Sequence, residues 1–315
     1  MNRINRTLIP LFTIAWSTLI CPANSQDQTS LIGRWNLQVQ ATGGRHPSWL
    51  EVRKSGNHAL VGSFVGQFGS ARPISKVDFD GQYFRFAIPA QWEKRTDDLV
   101  FLGQAHGETL SGTTTDETGR VLHWKGSRAP KLIRQQQPVW GRSISLFDQK
   151  TLHGWVPRSG DVPNGWSVND GILENRRPGN DLITEETFTD FRLDAEFRYP
   201  KGSNSGIYLR GRYEMQIEDN YGEDPDRLKI GGIYGFLTPS TNAAKPAGEW
   251  QSVEITLVGR VVTVVFNGKR VIDRQRIPGP TGGALDNAEG APGPIMLQGD
   301  HGPIEFRRLT LTKPE

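Results

Sequence analysis

Residues 204–218 have the sequence NSGIYLRGRYEMQIE, and their pattern is the most informative about the fold. From Tyr213 onward polar and apolar side chains alternate, which is the period of a β-strand with one buried face. Met215 and Ile217 point toward a core. The preceding part, 206–212, is also of strand length, so the stretch predicts sheet structure that carries a row of polar groups. The polar side chains that share one sheet face are Glu214, Gln216 and Glu218.

The same strand-like pattern fills the first half of the chain. Short alternating runs are separated by glycine, proline and asparagine, and none has the three-to-four residue period of an amphipathic helix. Closing such strands into a barrel removes exposed sheet edges. We therefore expect a small up-and-down β-barrel or a compact sandwich. The runs are 35–39, 49–52, 59–65, 83–88 and 99–102.

The second half has longer strand-like runs. Asn267-Gly268 lies between two of them and is typical of a tight two-residue hairpin turn, because both residues accept positive backbone angles. Two stacked antiparallel sheets would use these runs well, so the whole chain is predicted to be all-β. The runs are 191–199, 206–212, 213–218, 250–258, 260–266, 295–298 and 304–312.

A change in composition divides the chain into two domains. After Pro130 come three consecutive glutamines, 135–137, in a segment without apolar period, which is typical of an exposed linker. We predict an N-terminal β-barrel-like domain over residues 27–130, a linker over 131–142 and a second domain over 143–313.

Residues 1–25 are predicted to be a signal peptide. An apolar run, 8–20, follows two arginines, and a small-residue cleavage site ends at Ser25. The run is too short for a comfortable membrane span. We therefore expect an exported protein, periplasmic or extracellular, without a membrane span. Lipid attachment at Cys21 is the alternative, although Ile20 stands where that signal has a small residue.

Charge and cysteine content exclude several classes of function. The chain has 37 basic and 34 acidic side chains, and loss of the leader removes Arg3 and Arg6. A nearly neutral protein has no electrostatic reason to bind nucleic acid. Cys21 is the single cysteine, so the cleaved chain would lack thiols for disulfides, nucleophiles or metal sites. The oligomeric state stays open.

Nine segments of the second domain, in order, give the chain a family resemblance. Together they resemble the 3-keto-disaccharide hydrolase domain, formerly a domain of unknown function, over nearly all of residues 143–313. The first domain is similar only in a loose way to a lipocalin-like barrel. The segments begin at Leu146-Phe147-Asp148, Trp166, Phe191, Asn204-Ser205-Gly206, Tyr213-Glu214-Met215-Gln216, Gly232-Ile233-Tyr234-Gly235, Gly248-Glu249-Trp250, Asn267-Gly268, and Ile295 with His301-Gly302.

The resemblance implies a concanavalin-like jelly-roll β-sandwich that cleaves 3-keto-glycosides. A ketone at C3 acidifies the C2 hydrogen, so a base can remove it while the C1 substituent leaves, and water then adds back. This route needs a base, a group that holds the enolate and a donor for the leaving oxygen. Two alternatives stay open: a non-catalytic carbohydrate-binding protein, and an ordinary glucanase, which needs two nearby carboxyl groups.

Three residues are catalytic candidates. His301 lies in QGDHG, residues 298–302, where an imidazole that titrates near neutrality can act as a base or a metal ligand. A solvated turn is the structural alternative, and the resemblance favours the functional one. Glu214 belongs to the polar row. Arg210 can hold a sugar hydroxyl or an enolate in its guanidinium fork, with a buried salt bridge as the alternative.

A second group of residues is expected to bind the sugar. Tyrosines stack on the apolar faces of sugars, and glycines beside Tyr234 permit close approach. Three tryptophans, Trp155, Trp166 and Trp250, are instead expected to be core anchors. The predicted substrate-binding residues are Gln216, Tyr234, Glu196, Gln298 and Tyr208.

Metal binding is an open question in the sequence. Residues 219–226 form an acidic, oxygen-rich loop that suits calcium or a similar divalent cation, although its spacing is not that of a recognised calcium loop. A β-bulge after Gln216 would bring Asp219 onto the polar face in place of Glu218. The family pattern favours Asp219, which we take as the candidate metal ligand. No zinc spacing of histidines is present, and no other cofactor is predicted.

Overall fold

The computed structural model describes residues 30–315, so the predicted leader, 1–25, lies outside the described part of the chain. Residues 30–315 contain no α-helix, and therefore no helix that could cross a membrane. All strand pairs are antiparallel. The prediction of an all-β protein is confirmed.

Nine strands form the N-terminal domain as one sheet, in the order β4-β3-β2-β1-β9-β8-β7-β6-β5. Its two edges, β4 and β5, approach each other, so the sheet is a nearly closed barrel. Stacked and tilted phenylalanines fill the interior; the rings of Phe86 and Phe101 lie 4.8 Å apart. The strands are β1 (Gly33–Ala41), β2 (Gly44–Ser55), β3 (Ala59–Val65), β4 (Arg72–Ile74), β5 (Val77–Phe79), β6 (Tyr83–Ile88), β7 (Leu99–His106), β8 (Thr109–Thr115) and β9 (Val121–Arg128).

Two packed antiparallel sheets form the C-terminal domain, and the chain passes repeatedly from one sheet to the other, as in a jelly roll. The larger sheet contains β10 (Trp140–Ser145), β12 (Trp166–Asn169), β13 (Ile172–Asn175), β15 (Phe191–Arg198), β18 (Gln251–Val258), β19 (Val261–Phe266), β20 (Lys269–Arg276) and β22 (Ile304–Pro314). The smaller sheet runs β11-β14-β21-β16-β17 and contains β11 (Trp155–Pro157), β14 (Leu182–Thr184), β16 (Asn204–Leu209), β17 (Tyr213–Glu218) and β21 (Met296–Leu297).

The predicted hairpin turn at Asn267-Gly268 is confirmed. These residues join β19 to β20 with φ angles of 47° and 77°. Both values lie in the left-handed region, as a two-residue hairpin with right-handed strand twist requires. The hairpin extends the larger sheet at the edge away from β12.

Strand β17 departs from the usual pattern of one exposed face. Tyr213, Met215 and Ile217 are buried in the core between the sheets, while Glu214 and Gln216 on the opposite face are also almost fully covered. Strands buried on both faces lie beneath a further layer of structure. Here that layer consists of loops of the C-terminal domain and one side of the barrel.

The barrel packs closely on the sandwich. Trp49 meets Phe236 edge to face at 5.2 Å, and a Cβ at Gly279 would lie 2.2 Å from Trp49 Nε1. Asn36 Nδ2 donates to the carbonyl of Asn287 at 2.8 Å. These contacts fix the barrel against the loops at one end of the sandwich.

The predicted linker is exposed but is tied to the second domain. Arg276 Nη1 donates to the carbonyl of Lys131 at 2.9 Å, and Arg134 Nε lies 2.6 Å from Asp190 Oδ2. Strand β10 begins at Trp140, a few residues before the predicted boundary at 143. The segment is therefore a strap along the sandwich, held at Lys131, at Arg134 and through the pairing of β10 with β22.

A buried ionic cluster holds the end of the sandwich where the loop 277–295 crosses. Glu289 is fully buried, 3.0 Å from Arg260 Nε, and its Oε2 accepts a hydrogen bond from the Tyr213 hydroxyl at 2.6 Å. Arg210 Nη1 donates to the carbonyl of Glu289 at 3.2 Å. A buried charge that loses its partner is strongly destabilising.

We expect Glu289→Gln to lower the free energy of unfolding by about 3–5 kcal/mol, because the buried guanidinium of Arg260 loses its counter-charge. Chemical denaturation followed by fluorescence measures the change. Glu305→Gln is the matched control, since Glu305 pairs with Arg198 at the surface and such pairs contribute about 0–1 kcal/mol. Equal losses in the two variants would show that the cluster is not structural.

Candidate active site

A cleft of about 350 Å³ opens on the outer face of β16 and β17, between the sandwich and the barrel. The C-terminal domain supplies its polar side chains, and the barrel contributes one edge. Predicted site residues that line it are His301, Glu214, Gln216, Tyr234, Gln298 and Tyr208. The other residues lining it are Phe68, Gly69, Trp92, Arg158, Asp181, Asn204, Gly282, Gly283 and Asp300.

Glu214 occupies the floor of the cleft because of the register of the β16–β17 hairpin. Gly206 pairs with Gln216, and Tyr208 pairs with Glu214. A Cβ at Gly206 would lie 2.5 Å from Glu214 Oε1, so only glycine leaves room for the carboxyl group to fold over β16. The predicted bulge after Gln216 is absent, since Glu218 pairs regularly with Asn204.

The hydrogen bonds around Glu214 fit a protonated carboxyl group. The Tyr208 hydroxyl lies 3.0 Å from both Glu214 Oε2 and the carbonyl oxygen of Gly282. A tyrosine has one proton to donate. If Tyr208 donates it to Gly282, a protonated Glu214 can donate to the Tyr208 oxygen, and all three groups are satisfied.

Burial in this place raises the pKa of Glu214 to about 8. Its hydrogen bond with Tyr208 and the nearby imidazole of His301 act in the opposite direction but are weaker. Burial also raises the pKa of the Tyr208 hydroxyl well above its usual range. At neutral pH the floor of the cleft therefore holds a neutral carboxylic acid that is able to donate a proton.

His301 lies at the opposite, more open side of the cleft. Its Nδ1 is 2.5 Å from Asp300 Oδ1, and both side chains are about half exposed. The hydrogen bond to Asp300 raises the pKa of the imidazole, and burial opposes this rise. When Asp300 accepts the Nδ1 proton, Nε2 is left free to accept a proton from a substrate.

Asp181 supports the loop that carries His301. Its Oδ1 accepts a hydrogen bond from the backbone N–H of Gly299 at 3.0 Å, and its Oδ2 accepts one from Arg158 Nη1 at 2.9 Å. Arg158 also donates to the carbonyl of Gly283 at 3.1 Å. One carboxylate therefore fixes both the histidine loop and the arginine that lines the cleft.

Two glutamines present acceptor atoms that have no partner among the described residues. Gln216 Oε1 and Gln298 Oε1 are buried without a hydrogen bond, although Gln216 Nε2 donates to the carbonyl of Leu228 at 3.3 Å. An unsatisfied buried acceptor costs about 1–3 kcal/mol. Hydroxyl groups of a bound ligand can satisfy both atoms.

Arg210 does not lie in the cleft, in contrast to the prediction that it faces the polar row. It stands in the turn after β16 with a φ of 55°, so its side chain leaves the strand alternation. Its guanidinium group donates to the Tyr213 hydroxyl and to the carbonyls of Gly259 and Glu289. The alternative, a buried salt bridge, predicted the burial of Arg210 but not its partners, which are a hydroxyl and two backbone carbonyls.

Glu196 is also outside the cleft. It lies on β15 of the larger sheet, whereas Glu214 belongs to the smaller one. Its carboxylate pairs with Arg307 at 2.5 Å and with Arg308 at 3.0 Å. Period-two alternation predicted a polar outward face for β15 but could not identify the sheet to which the strand belongs.

Asp219 lies beyond the end of β17, where its Oδ2 accepts a hydrogen bond from the N–H of Gly202 at 2.8 Å. In the acidic loop that follows, Glu223 pairs with Lys229 at 3.0 Å. Across residues 30–315, no group of three or more histidine, cysteine, aspartate or glutamate side chains is placed to hold a metal ion. A divalent cation at Asp219 remains a prediction from the sequence.

Tyr234 lines the cleft, but the neighbouring Gly235 makes room for the barrel, whereas the sequence predicted that it makes room for a ligand. Gly235 has a φ of 73°, and a Cβ there would lie 2.8 Å from the backbone nitrogen of Ala71 in the barrel. The close approach is therefore that of the barrel and not of a ligand. Trp155 and Trp166 are buried core residues, as predicted, whereas Trp250 is partly exposed between Arg198 and Arg307.

Sequence reasoning missed several residues of the cleft. Asp300 was visible as the neighbour of His301, and Asn204 as the start of the quoted stretch. Arg158 and Asp181 stand alone in loops or at strand ends and carry no pattern that separates them from surface charges. Phe68 and Trp92 belong to the other domain, and nothing in the sequence links them to β17.

A second cavity lies inside the barrel and is less suited to acid–base chemistry. Phe64, Leu99 and Phe101 make much of its wall apolar. Of its acidic groups, Glu93 is bound by Arg72 at 3.0 Å. A hydrogen bond from Thr118 lowers the pKa of Asp116 to about 2. Carboxylates held in this way stay ionised and are weak bases.

The fold and the cleft together define a β-sandwich protein with a polar cleft on the outer face of one sheet. The profile of the 3-keto-alpha-glucoside-1,2-lyase-like domain matches residues 142–312, more than half of the chain. The chain belongs to this family, and the predicted resemblance and its place in the C-terminal half are confirmed.

Three proteins of known sequence or structure are similar to this chain. A 3-keto-disaccharide hydrolase of Bacteroides thetaiotaomicron is 25% identical, over 53% of this chain and 72% of that protein. Two candidate glycosyl hydrolases from Parabacteroides distasonis have solved structures that are each 27% identical to this chain. One covers 59% of this chain and 97% of its own length with a TM-score of 0.49. The other covers 55% and 100% with a TM-score of 0.43.

We expect Glu214→Gln to change the pH dependence of stability. The pKa of Glu214 is about 8 in the folded protein and near 4.5 when unfolded, so between these values the folded state holds the extra proton. Stability therefore falls as pH rises through this window, by an order of a few kcal/mol. Glutamine cannot titrate and removes this fall.

Urea denaturation of both proteins at pH 5 and pH 8.5 measures the effect. The variant should gain stability relative to the unaltered protein at the higher pH and change little at the lower one. Parallel pH profiles for the two proteins would contradict the assignment of a neutral carboxyl group at neutral pH.

Proposed function

We propose that this protein cleaves 3-keto-glycosides at the cleft by elimination followed by hydration. The observation that carries the proposal is that one cleft holds both a buried carboxyl group, Glu214, whose pKa burial raises to about 8, and the imidazole of His301, hydrogen-bonded to Asp300. The family and the name of the Bacteroides relative support the substrate class. More generally, these similarities support a glycosidase-type activity on carbohydrate.

In the first half-reaction, Nε2 of His301 removes the hydrogen at C2, which the C3 ketone acidifies. The electron pair moves through the enolate, the C1–O bond breaks, and Glu214 gives its proton to the leaving oxygen. After this step the imidazole of His301 is protonated and the carboxyl group of Glu214 is ionised. Addition of water reverses these roles, with hydroxyl added at C1 and a proton returned to C2.

The cleft also supplies an electrophile for the enolate. The sequence assigned this role to Arg210, which is buried elsewhere. Arg158 lines the cleft, and Asp181 orients its guanidinium at 2.9 Å. A positioned cation is worth more in a site with little water, because the developing charge on the C3 oxygen is less screened. We assign the enolate-stabilising role to Arg158.

An ordinary glucanase mechanism has less support from the floor of the cleft. A retaining glycosidase uses one carboxyl group as acid and a second, about 5–5.5 Å away, as nucleophile. The next residue on the same face as Glu214 is Gln216, an amide that cannot ionise or attack. The two free acceptors of Gln216 and Gln298 are instead suited to hold sugar hydroxyl groups.

We further propose that the protein acts after export, in the periplasm or outside the cell, as the leader-like sequence of residues 1–25 indicates. A divalent cation near Asp219 is a separate proposal. It would be structural, because Asp219 does not line the cleft.

We expect His301→Ala and Glu214→Gln each to lower turnover of a 3-keto-glucoside by about 10²–10⁴-fold, the usual contribution of one acid or base. Release of the leaving group, followed by chromatography, measures the rate. His153→Ala is the matched control, because His153 is an exposed histidine of the same domain outside the cleft. At pH 5, where Glu214→Gln is expected to change stability little, the melting temperatures should stay within a few degrees.

The unaltered protein should also show a bell-shaped pH profile of kcat/KM. Activity rises as His301, whose pKa lies above its ordinary value, loses its proton, and it falls near pH 8 as Glu214 ionises. Activity that survives both substitutions would refute the site. Sugar binding without any turnover would favour the non-catalytic alternative.

A further inference from the structure

The barrel contributes one apolar edge to an otherwise polar cleft. Two of its aromatic side chains line the cleft, Phe68 with 44% and Trp92 with 40% of its surface exposed. Their rings meet edge to face, with centroids 5.4 Å apart at 80°, so they form a corner. Within residues 30–130 the remaining lining residue is Gly69, which has no side chain to hydrogen-bond a ligand.

Backbone contacts hold the Phe68 side of this corner on the sandwich. The N–H of Gly283 donates to the carbonyl of Gln67 at 2.8 Å. A Cβ at Gly282 would lie 2.2 Å from the carbonyl oxygen of Gly69, so the two loops touch through glycine. Because Tyr208 also contacts Gly282, the loop that supports Phe68 is the one that supports the Glu214 network.

A buried ion pair holds the Trp92 side. Glu93 accepts two hydrogen bonds from Arg72, each at 3.0 Å, and Glu93 Oε2 also accepts the backbone N–H of Trp92 at 3.2 Å. Gln91 links the two loops. Its Oε1 accepts a hydrogen bond from the backbone N–H of Ser70 at 3.1 Å, and its Nε2 donates to the Ser70 hydroxyl at 2.8 Å. The aromatic corner is therefore preformed rather than assembled by a ligand.

We infer that Phe68 and Trp92 form the subsite for the leaving group, and that this group is an aromatic aglycone. The inference rests on the proposed function. The two walls of the cleft bind different parts of a glycoside. The polar side chains of the sandwich contact the keto-sugar, and the aromatic corner of the barrel contacts the leaving group at C1. Flat apolar rings pack on exposed aromatic faces and edges.

An aryl group suits this corner better than a second sugar does. A pyranose can stack its apolar face on an aromatic ring, but it also presents hydroxyl groups around its rim, and burying these without partners costs free energy. Within residues 30–130 the barrel edge offers aromatic surface, a single side-chain donor, the indole N–H of Trp92, and no side-chain acceptor. Aromatic rings require no such partners. The substrate class assigned to this protein is therefore 3-keto-glycosides of phenols.

The test compares substrates that share the sugar and differ in the leaving group. We expect Trp92→Ala and Phe68→Ala each to lower kcat/KM for phenyl 3-keto-glucoside by about ten-fold or more, as loss of an apolar contact does. The same variants should lower kcat/KM for methyl 3-keto-glucoside less than about two-fold. Trp92→Phe should retain most activity. Tyr83→Ala removes an exposed barrel aromatic outside the cleft and is the control.

Other outcomes overturn the inference. Equal losses of kcat/KM on the methyl and phenyl substrates would show that Phe68 and Trp92 do not bind the leaving group. A larger loss on 3-keto-lactose than on the phenyl substrate would assign the corner to a second sugar. Absence of turnover of every 3-keto-glycoside by the unaltered protein would refute the proposed function instead.

Calorimetric binding of phenyl glucoside, which has no ketone and cannot undergo the elimination, tests the subsite without turnover. Trp92→Ala should weaken this binding by about ten-fold or more, and Tyr83→Ala should leave it unchanged. Unchanged binding in Trp92→Ala would overturn the inference whatever the kinetic result.

Discussion

The antiparallel register of β16 and β17 fixes both the core and the cleft of the C-terminal domain. Because side chains alternate across a strand, the same few residues supply apolar groups to the core and polar groups to the cleft. Gly206 opposite Gln216 leaves the space into which the Glu214 carboxyl folds. A one-residue slip of the register would exchange core and cleft, so fold and chemistry cannot be separated here.

The barrel completes the cleft through backbone contact. Three glycines of the sandwich, Gly235, Gly279 and Gly282, have no room for a side chain because barrel atoms occupy the place of a Cβ. A close, glycine-mediated interface fixes the barrel more firmly than exposed side chains do. The covering of Glu214 and Gln216, and hence the raised pKa of Glu214, therefore depends on how both domains pack.

Charge is used in two different ways in the C-terminal domain. Arg210 and Arg260 are buried with Glu289 and brace the loop 277–295. Arg158 is partly exposed, held by Asp181 and directed to the cleft. The sequence alone does not distinguish these two kinds of arginine. Strand alternation predicts the face of the strand on which a side chain lies, but it does not predict what packs against that face. Only burial and partners distinguish a structural arginine from a functional one.

The strand content and the hairpin at Asn267-Gly268 could be predicted from the sequence, because local backbone preferences and period-two alternation act between near neighbours in the chain. The family and six of the residues that line the cleft could also be predicted, from the polar row on β17 and from the segments that resemble the family. Only the tertiary structure decided that Arg210 and Glu196 lie elsewhere, that Arg158 and Asp181 join His301, and that Phe68 and Trp92 close the cleft. The positions of these residues depend on which strands become neighbours and how two domains pack, and such long-range contacts leave no local pattern to read.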